Sequence, residues 1–510
     1  MKKPSADIFE LIKSLSKGEK KYFKNYSSIY KKSNKHYLLL YNAIARQNEY
    51  NETALRQQFK GKAFIKQLAV AKSFLYNRIL RNLDSYHESN AEEIRSNIHY
   101  AEILYNKGLY YQAEKILGKM KILSEKYDLY IFLPEILQWE HRLAFQSFDL
   151  DKSGKINKEI KNCFYLLLNT HILRDLAATL YSLTHGHLSL NEKERLRRIK
   201  KIMKHPLVRK ENALPFQAKE YYYHIHHTYW SYENNPYKTI LFLKKKVKQY
   251  EMHSEKIKNN QNMYVYALGG LIETCLEYKL YDEAIAQIEK CNMLMKNTTN
   301  FSEKSFTWLM YNDCLLKYFI HTGEFEKGAE IIPNTAKEYA AYKKELSEYE
   351  KITLHISIAI IWFGKNEFKK CISHLYKILN NFSKSIQNDI QRFVRLFYLI
   401  AHYEAKDDDF LLHLTQSAYH FFHKQNNISE FEKLFLDFFR ITLPEVENNK
   451  QRIDVFNQLY NQLLPLTKDP KEKHIFVFFD FISWLESKIE NRPFAEAVKE
   501  KAKSITLIKH

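Results

Sequence analysis

Apolar residues recur every three or four positions along this chain, as in Phe64, Leu68, Ala71, Leu75 and Ile79, or Leu196, Ile199 and Met203. That spacing lines one face of a helix. Gly and Pro number 11 and 10 among 510 residues and seldom interrupt the pattern, whereas strands joined by tight turns need more of both. The pattern predicts an all-α protein. Near the start, Ser16 with Glu19 forms a capping box opening a helix through Tyr22, Phe23 and Tyr26. A second helix spans Tyr37 to Asn48. Asn51 caps a short third one with Leu55 and Phe59, and Lys60-Gly61-Lys62 turns into a long helix ending near residues 85–90.

A slower rhythm overlies the helical one. Tyr237, Tyr281, Phe325, Phe368 and Phe410 are spaced by 44, 44, 43 and 42 residues, and Tyr110 lies 127 residues, about three periods, before the first. Two positions before each stand Gly108, Asn235, Lys279, Gly323, Asn366 and Asp408, five of the six being types that tolerate the left-handed backbone ending a helix. Three positions after them come Ala113, Ile240, Ala284, Gly328, Cys371 and His413. A small residue there lets the preceding helix approach closely, so Gly328 is predicted to be a close-contact site and all six aromatics to be buried at inter-helix turns.

Asn106-Lys107-Gly108-Leu109-Tyr110-Tyr111-Gln112-Ala113, Tyr281-Asp282-Glu283-Ala284 and Gly323-Glu324-Phe325-Glu326-Lys327-Gly328 together resemble the inter-helix turn of tetratricopeptide repeats. The resemblance covers residues 91–425 and implies a right-handed α-solenoid of antiparallel helix pairs, each with a first helix (A) and a second (B). The period of about 43 exceeds the standard unit of about 34 and matches HEAT or armadillo lengths, the alternative at the level of fold. On this reading residues 1–90 are a basic helical cap, 91–425 the repeats, with two poorly matched units between Gly154 and Pro206, and 426–510 capping helices around 428–441, 452–464, 473–489 and 494–504.

Charge changes the picture in two places. The formal charge is +20, and residues 1–90 carry +11 and residues 193–210 carry +8, leaving the rest of the chain almost neutral. Lys60, Lys62, Lys66, Arg197, Arg198 and Lys201 are the candidate polyanion contacts, with solvated helix faces as the competing reading. The short helix, Gly turn and longer basic helix before residue 90 have the parts of a helix-turn-helix, in which Lys72, Arg78 and Arg81 join Lys62 and Lys66 as phosphate contacts. Lys193–Lys204 reads as an amphipathic basic helix suited to packing or to an anionic surface.

Candidate chemistry is sparse. Asp149, Asp151, Ser153 and Gly154 copy the opening of an EF-hand loop, but Ile160 stands where the bidentate Glu belongs. His224, His226 and His227 follow three tyrosines without a further ligand at a metal-binding spacing. The five cysteines form no C-x-x-C pair and read as reduced core residues. No nucleotide loop, nucleophile elbow or zinc-protease motif occurs, so neither cofactor, metal nor catalysis is expected. Neither a secretory signal nor an apolar run of membrane-spanning length is present, giving a cytoplasmic expectation. The expected function is a non-enzymatic scaffold or adaptor binding a protein or peptide segment in a groove lined by A helices. The alternative is a nucleic-acid-associated regulator with the basic N-terminal region on DNA or RNA.

Overall fold

The computed structural model describes residues 6–29, 36–86, 89–185, 191–211, 215–381, 388–424, 428–469 and 472–504. All regular structure among them is helical. The chain divides into two compact units, 1–167 and 168–510, the division falling inside the helix Leu150–His185.

The first unit begins with helices Asp7–Ser14, Lys17–Ile29, His36–Arg46, Glu52–Gln58 and Leu68–Tyr86 around a core of Ile8, Phe23, Leu40, Tyr41, Leu55, Leu75 and Ile79. Its capping follows the sequence. Ser16 N donates to Glu19 Oε2 (2.6 Å) and Glu19 N to Ser16 Oγ (3.2 Å), while Asn51 Oδ1 accepts from Ala54 N (2.9 Å). The long basic helix starts later than Phe64, because Ala63–Gln67 is a 3₁₀ turn. Two helix pairs follow: Asn90–Asn106 packs on Tyr110–Lys126, and Leu133–Gln146 meets the start of Leu150–His185, where His141 Nε2 lies 2.9 Å from Ser153 Oγ and 3.2 Å from Asn157 Nδ2.

The second unit contains the pairs Phe216–Tyr232/Pro236–Glu251, Gln261–Glu277/Tyr281–Asn297, Phe301–Thr322/Phe325–Tyr342, Glu348–Gly364/Phe368–Asn381 and Asn388–Glu404/Asp408–His423. In both units the turn from A to B closes in one way. The backbone N–H just before helix B donates five residues back: Leu109 to Leu104, Asp149 to Ala144, Asn235 to Trp230, Leu280 to Cys275, Glu324 to Phe319, Glu367 to Trp362 and Asp407 to His402, at 2.8–3.2 Å. The residue before each donor is left-handed: Gly108, Phe148, Asn234, Lys279, Gly323, Asn366 and Lys406. This is the Schellman closure, which satisfies carbonyls that a helix end leaves open. Asn235 and Asp408 are therefore not the left-handed residues expected; Asn234 and Lys406 are. The closing hydrogen bonds recur whichever side chain sits there, so residue type marked the turn only to within a residue or two.

Tyr110, Tyr281, Phe325 and Phe368 open their B helices, Tyr237 is second and Phe410 third. Their burial differs from expectation. Phe325 is 2% exposed, whereas Tyr110, Tyr237 and Phe410 are 38%, 45% and 44% exposed. A ring at the first turn of helix B lies at the rim of the array and loses its water only where another segment covers that rim, as Phe494 covers Phe325 at 5.6 Å between ring centroids. The small-residue positions Ala113, Ala284, Gly328 and Cys371 are buried. A Cβ on Gly328 would stand 2.4 Å from Ile361 Cδ1 of the neighbouring A helix.

Between Gly154 and Pro206 two repeats were expected, yet Leu150–His185 is one continuous 36-residue helix, followed by Glu192–Met203 capped by Asn191. Nothing in 150–185 breaks a helix strongly enough to stop it. Gly154 sits in the first turns, where its cost is small against propagation through the Leu and Ala positions beyond.

After the last pair the chain forms Glu430–Asp437, continued by a π turn at Phe438–Thr442, then Asn449–Leu466, a 3₁₀ turn Lys473–Val477, Phe481–Ile489 and Phe494–Lys503. The expected helix 473–489 is thus broken, since Asp480 caps Phe481–Ile489 by accepting from Ser483 N at 3.1 Å. These elements also do more than close the end of the array. Phe479 and Phe494 pack on Phe363 (5.3 and 5.4 Å), Phe478 on Phe393 (4.9 Å), and Trp484 Nε1 donates to Glu404 Oε1 (2.7 Å), so the segment from Phe478 to Lys503 straps the A helices Glu348–Gly364 and Asn388–Glu404.

Candidate functional site: the uncovered A-helix face

Helices buried on every side need apolar residues all round, and the strapped A helices have them: nine of the last thirteen residues of Glu348–Gly364 are buried apolar side chains or Gly. Earlier along the same face, among the described residues, the strap's contacts stop and the residues change. Tyr349, Ile356 and Phe363 are seven apart and share one face of their helix. Phe363 lies under the strap, while Tyr349 is 52% exposed.

Across the neighbouring A helices the open face carries a connected polar row. Lys317 Nζ lies 2.5 Å from Glu273 Oε1 and 3.0 Å from Asp313 Oδ2, and Ser357 Oγ donates to Asp313 Oδ1 at 2.6 Å, linking Gln261–Glu277, Phe301–Thr322 and Glu348–Gly364. Burial opposes the charge on Lys317, but Asp313 and Glu273 hold its ammonium well above the ordinary lysine range. Partial burial raises the half-exposed Tyr349 hydroxyl, with Lys317 opposing and Glu273, Asp313 and Tyr181 adding to the rise. Tyr266, 54% exposed, packs its ring on Phe306 at 4.6 Å and feels Glu350. At the border with the strap, Lys279 Nζ donates to Lys501 O (2.7 Å) and Ser504 Oγ (2.6 Å).

Such a surface offers aromatic rings, carboxylates and hydroxyls for contact. The row pairs Glu273 with Lys317, and Asp313 with both Lys317 and Ser357. Among the described residues no group of three or more His, Cys, Asp or Glu could hold a metal ion, and no helix is long and apolar enough to cross a membrane.

The residues singled out from sequence fall elsewhere. Lys60, Lys62 and Lys66 are exposed around the Gly61 turn and have no ion pair among the described residues. Lys72 is not free for phosphate, because its Nζ is 2.7 Å from Glu52 Oε2 and 3.0 Å from Tyr50 Oη; Arg78 stacks over the Tyr37 ring. Arg197 and Arg198 both bind Glu194, at 2.8 and 2.9 Å, and Lys201 is exposed beside them on Glu192–Met203. Ile199 and Ile202 of that helix are buried, so its apolar stripe is used in packing. Asp149 caps a helix through Lys152 N (2.9 Å), and Asp151, Ser153 and Gly154 are helical, so the EF-hand-like stretch is not a loop. His224 Nδ1 and His227 Nε2 are 2.9 Å apart, whereas His226 points away and contacts Val208 O at 3.0 Å. All five cysteines are free and buried.

Tyr266, Glu273, Asp313, Lys317 and Tyr349 were not picked out from sequence. The available signal was Glu273 and Glu277 in a helix otherwise devoid of charge. In comparisons with known proteins, no family model, no curated protein and no solved structure matches this chain.

Proposed function

We propose that this chain is a non-enzymatic adaptor or scaffold, a right-handed solenoid of tetratricopeptide-like helix pairs acting in the cytoplasm, whose A-helix face binds a segment of another polypeptide. One observation carries the reading: the face already holds a polypeptide, the protein's own residues 478–503, on the A helices Glu348–Gly364 and Asn388–Glu404. Repeat arrays bury little per unit and commonly use such continuous surfaces for binding. The uncovered half keeps exposed Tyr266 and Tyr349 and the Glu273–Lys317–Asp313 row, a mixture of aromatic anchor and polar rim that suits a protein partner.

The test is a photo-crosslinking amino acid placed at Tyr349 on the open face and, separately, at Tyr376, which is 57% exposed on the B helix Phe368–Asn381. Nuclease-resistant polypeptide adducts from position 349 and none from 376 are expected. Equal labelling at both positions, or adducts removed by nuclease, would count against the reading.

A second reading, nucleic-acid association through the first ninety residues, is favoured by the unpaired Lys60, Lys62 and Lys66. It calls for duplex DNA binding whose affinity falls by orders of magnitude between about 50 and 200 mM salt, as release of counterions from roughly 6–10 phosphates requires. With Lys72 and Arg78 engaged internally, weak binding that disappears near physiological salt is expected, and abolition by the triple Lys60→Glu, Lys62→Glu, Lys66→Glu variant locates it.

A further inference from the structure

We infer that the open half of the A-helix face selects a cationic, aromatic-bearing peptide segment, an assignment that rests on the adaptor reading above and adds the chemistry of its ligand. Two independent features point this way. The first is how the strap is held. Its Trp484 and Lys488 share a single A-helix carboxylate: Trp484 Nε1 donates to Glu404 Oε1 at 2.7 Å and Lys488 Nζ to Glu404 Oε2 at 2.7 Å. A ring and an ammonium one helical turn apart are thus what this face accepts where its occupant is visible.

The second feature is the charge and ring pattern of the open half. Gln261–Glu277 has Glu273 and Glu277 and neither Lys nor Arg, in a protein of net charge +20. By contrast Glu192–Met203 carries six Lys or Arg against two Glu, and Pro236–Glu251 five Lys against one Glu. Positive charge is concentrated on those helices and kept off this one. Glu273, whose side chain is 55% exposed, and Asp313 close on one ammonium, that of Lys317, leaving a net negative charge; the half-exposed Tyr266 stands seven residues before Glu273 on the same helix face, and Tyr349 is half-exposed on Glu348–Gly364, whose Ser357 bonds Asp313. Carboxylates next to tyrosine rings receive an incoming Lys or Arg through ion pairing and the ring face together, and the partner's own aromatic side chain finds Tyr266, Tyr349 and the Phe306 ring beside Tyr266. An acidic segment meets Glu273 and Asp313 with like charge and is rejected.

The experiment uses the full chain and two fluorescent Ala-based helical peptides, one carrying Trp and Lys one turn apart and the other with every Lys replaced by Glu, followed by anisotropy. The Lys peptide is expected to bind and the Glu peptide to bind at least about tenfold more weakly, with the preference shrinking as salt rises. Glu273→Lys should remove the preference, and Tyr349→Ala should weaken the Lys peptide; both positions are solvent-exposed, and unchanged thermal unfolding of each variant confirms an intact fold. Equal binding of both peptides, sensitive to Tyr349→Ala, would overturn the charge selection while leaving the face as a polypeptide site. Binding of the Lys peptide that is indifferent to both substitutions would overturn the location as well, and with it the adaptor reading. Absence of binding by the Lys peptide at low salt also overturns the inference, and photo-crosslinking from Tyr349 then decides whether the adaptor reading stands.

Discussion

The covered and the open halves of one helical face are built from the same repeat but not from the same residues. Under the strap, Asn388–Glu404 presents Phe393, Phe397 and Ile400 at 0% exposure, and two of its charged residues are paired in place: Arg392 bonds to Glu432 and stacks on Phe422, and Glu404 takes Trp484 and Lys488. In the open half, Gln261–Glu277 and the start of Glu348–Gly364 present Tyr266, Glu273 and Tyr349 to water. The architecture does not dictate the difference; the occupant does. Where the strap lies on it the face has become core, and where no described segment lies on it the face keeps groups that tolerate water.

That contrast is easiest to break at the strap. Trp484 is fully buried among Phe435, Phe439 and Phe456, so Trp484→Ala should cost about 3–5 kcal/mol in denaturant unfolding, through lost contacts and the orphaned Glu404 acceptor. A cost near zero would mean that the strap is not part of the folded core.

Within the array, Gly328→Leu should overpack the contact with Ile361 and cost roughly 1–3 kcal/mol, read from the unfolding midpoint. A parent-like midpoint would remove the close-approach role of that position.

A smaller effect comes from pH. His355 and His374 approach with Nδ1 atoms 2.9 Å apart, and burial, with mutual repulsion for His374, pushes them to about 4 and about 3. Their unfolded value is near 6.5, so the unfolded chain takes up protons first. The stabilisation is fully present above pH 6.5 and is lost as pH falls towards 4, by on the order of 1 kcal/mol between pH 7 and 5 for these partly exposed rings. His374→Gln should flatten that slope in pH-dependent melts. Smallest of all, Tyr349→Ala on the open half should stay within about 0.5 kcal/mol of the parent stability, because its ring leaves little buried area behind.

Much of the fold was legible in the chain. The aromatic spacing found the starts of the B helices because the turn is fixed by local hydrogen bonding, and Ser16–Glu19 and Asn51 announced their caps through side-chain chemistry a few residues long. Burial of those aromatics was not legible, since it depends on Phe494, some 170 residues beyond Phe325. The fused helix Leu150–His185 was missed for a related reason: an expected period was imposed on a stretch with no strong helix stop. The open face escaped notice because Glu273, Asp313 and Lys317 look like ordinary surface charges until the helices bring them together. Basic clusters drew attention instead, although Lys72 and the Arg197–Arg198 pair turn out to serve neighbouring carboxylates.

The most direct test of the account is hydrogen exchange on the full chain with and without saturating Lys-bearing probe peptide. Added protection is predicted in Gln261–Glu277, Phe301–Thr322 and the first turns of Glu348–Gly364, with Glu192–Met203 and Phe368–Asn381 unchanged. Protection confined to those last two helices, or no added protection at saturation, would contradict the claim that the uncovered A-helix face is the binding surface.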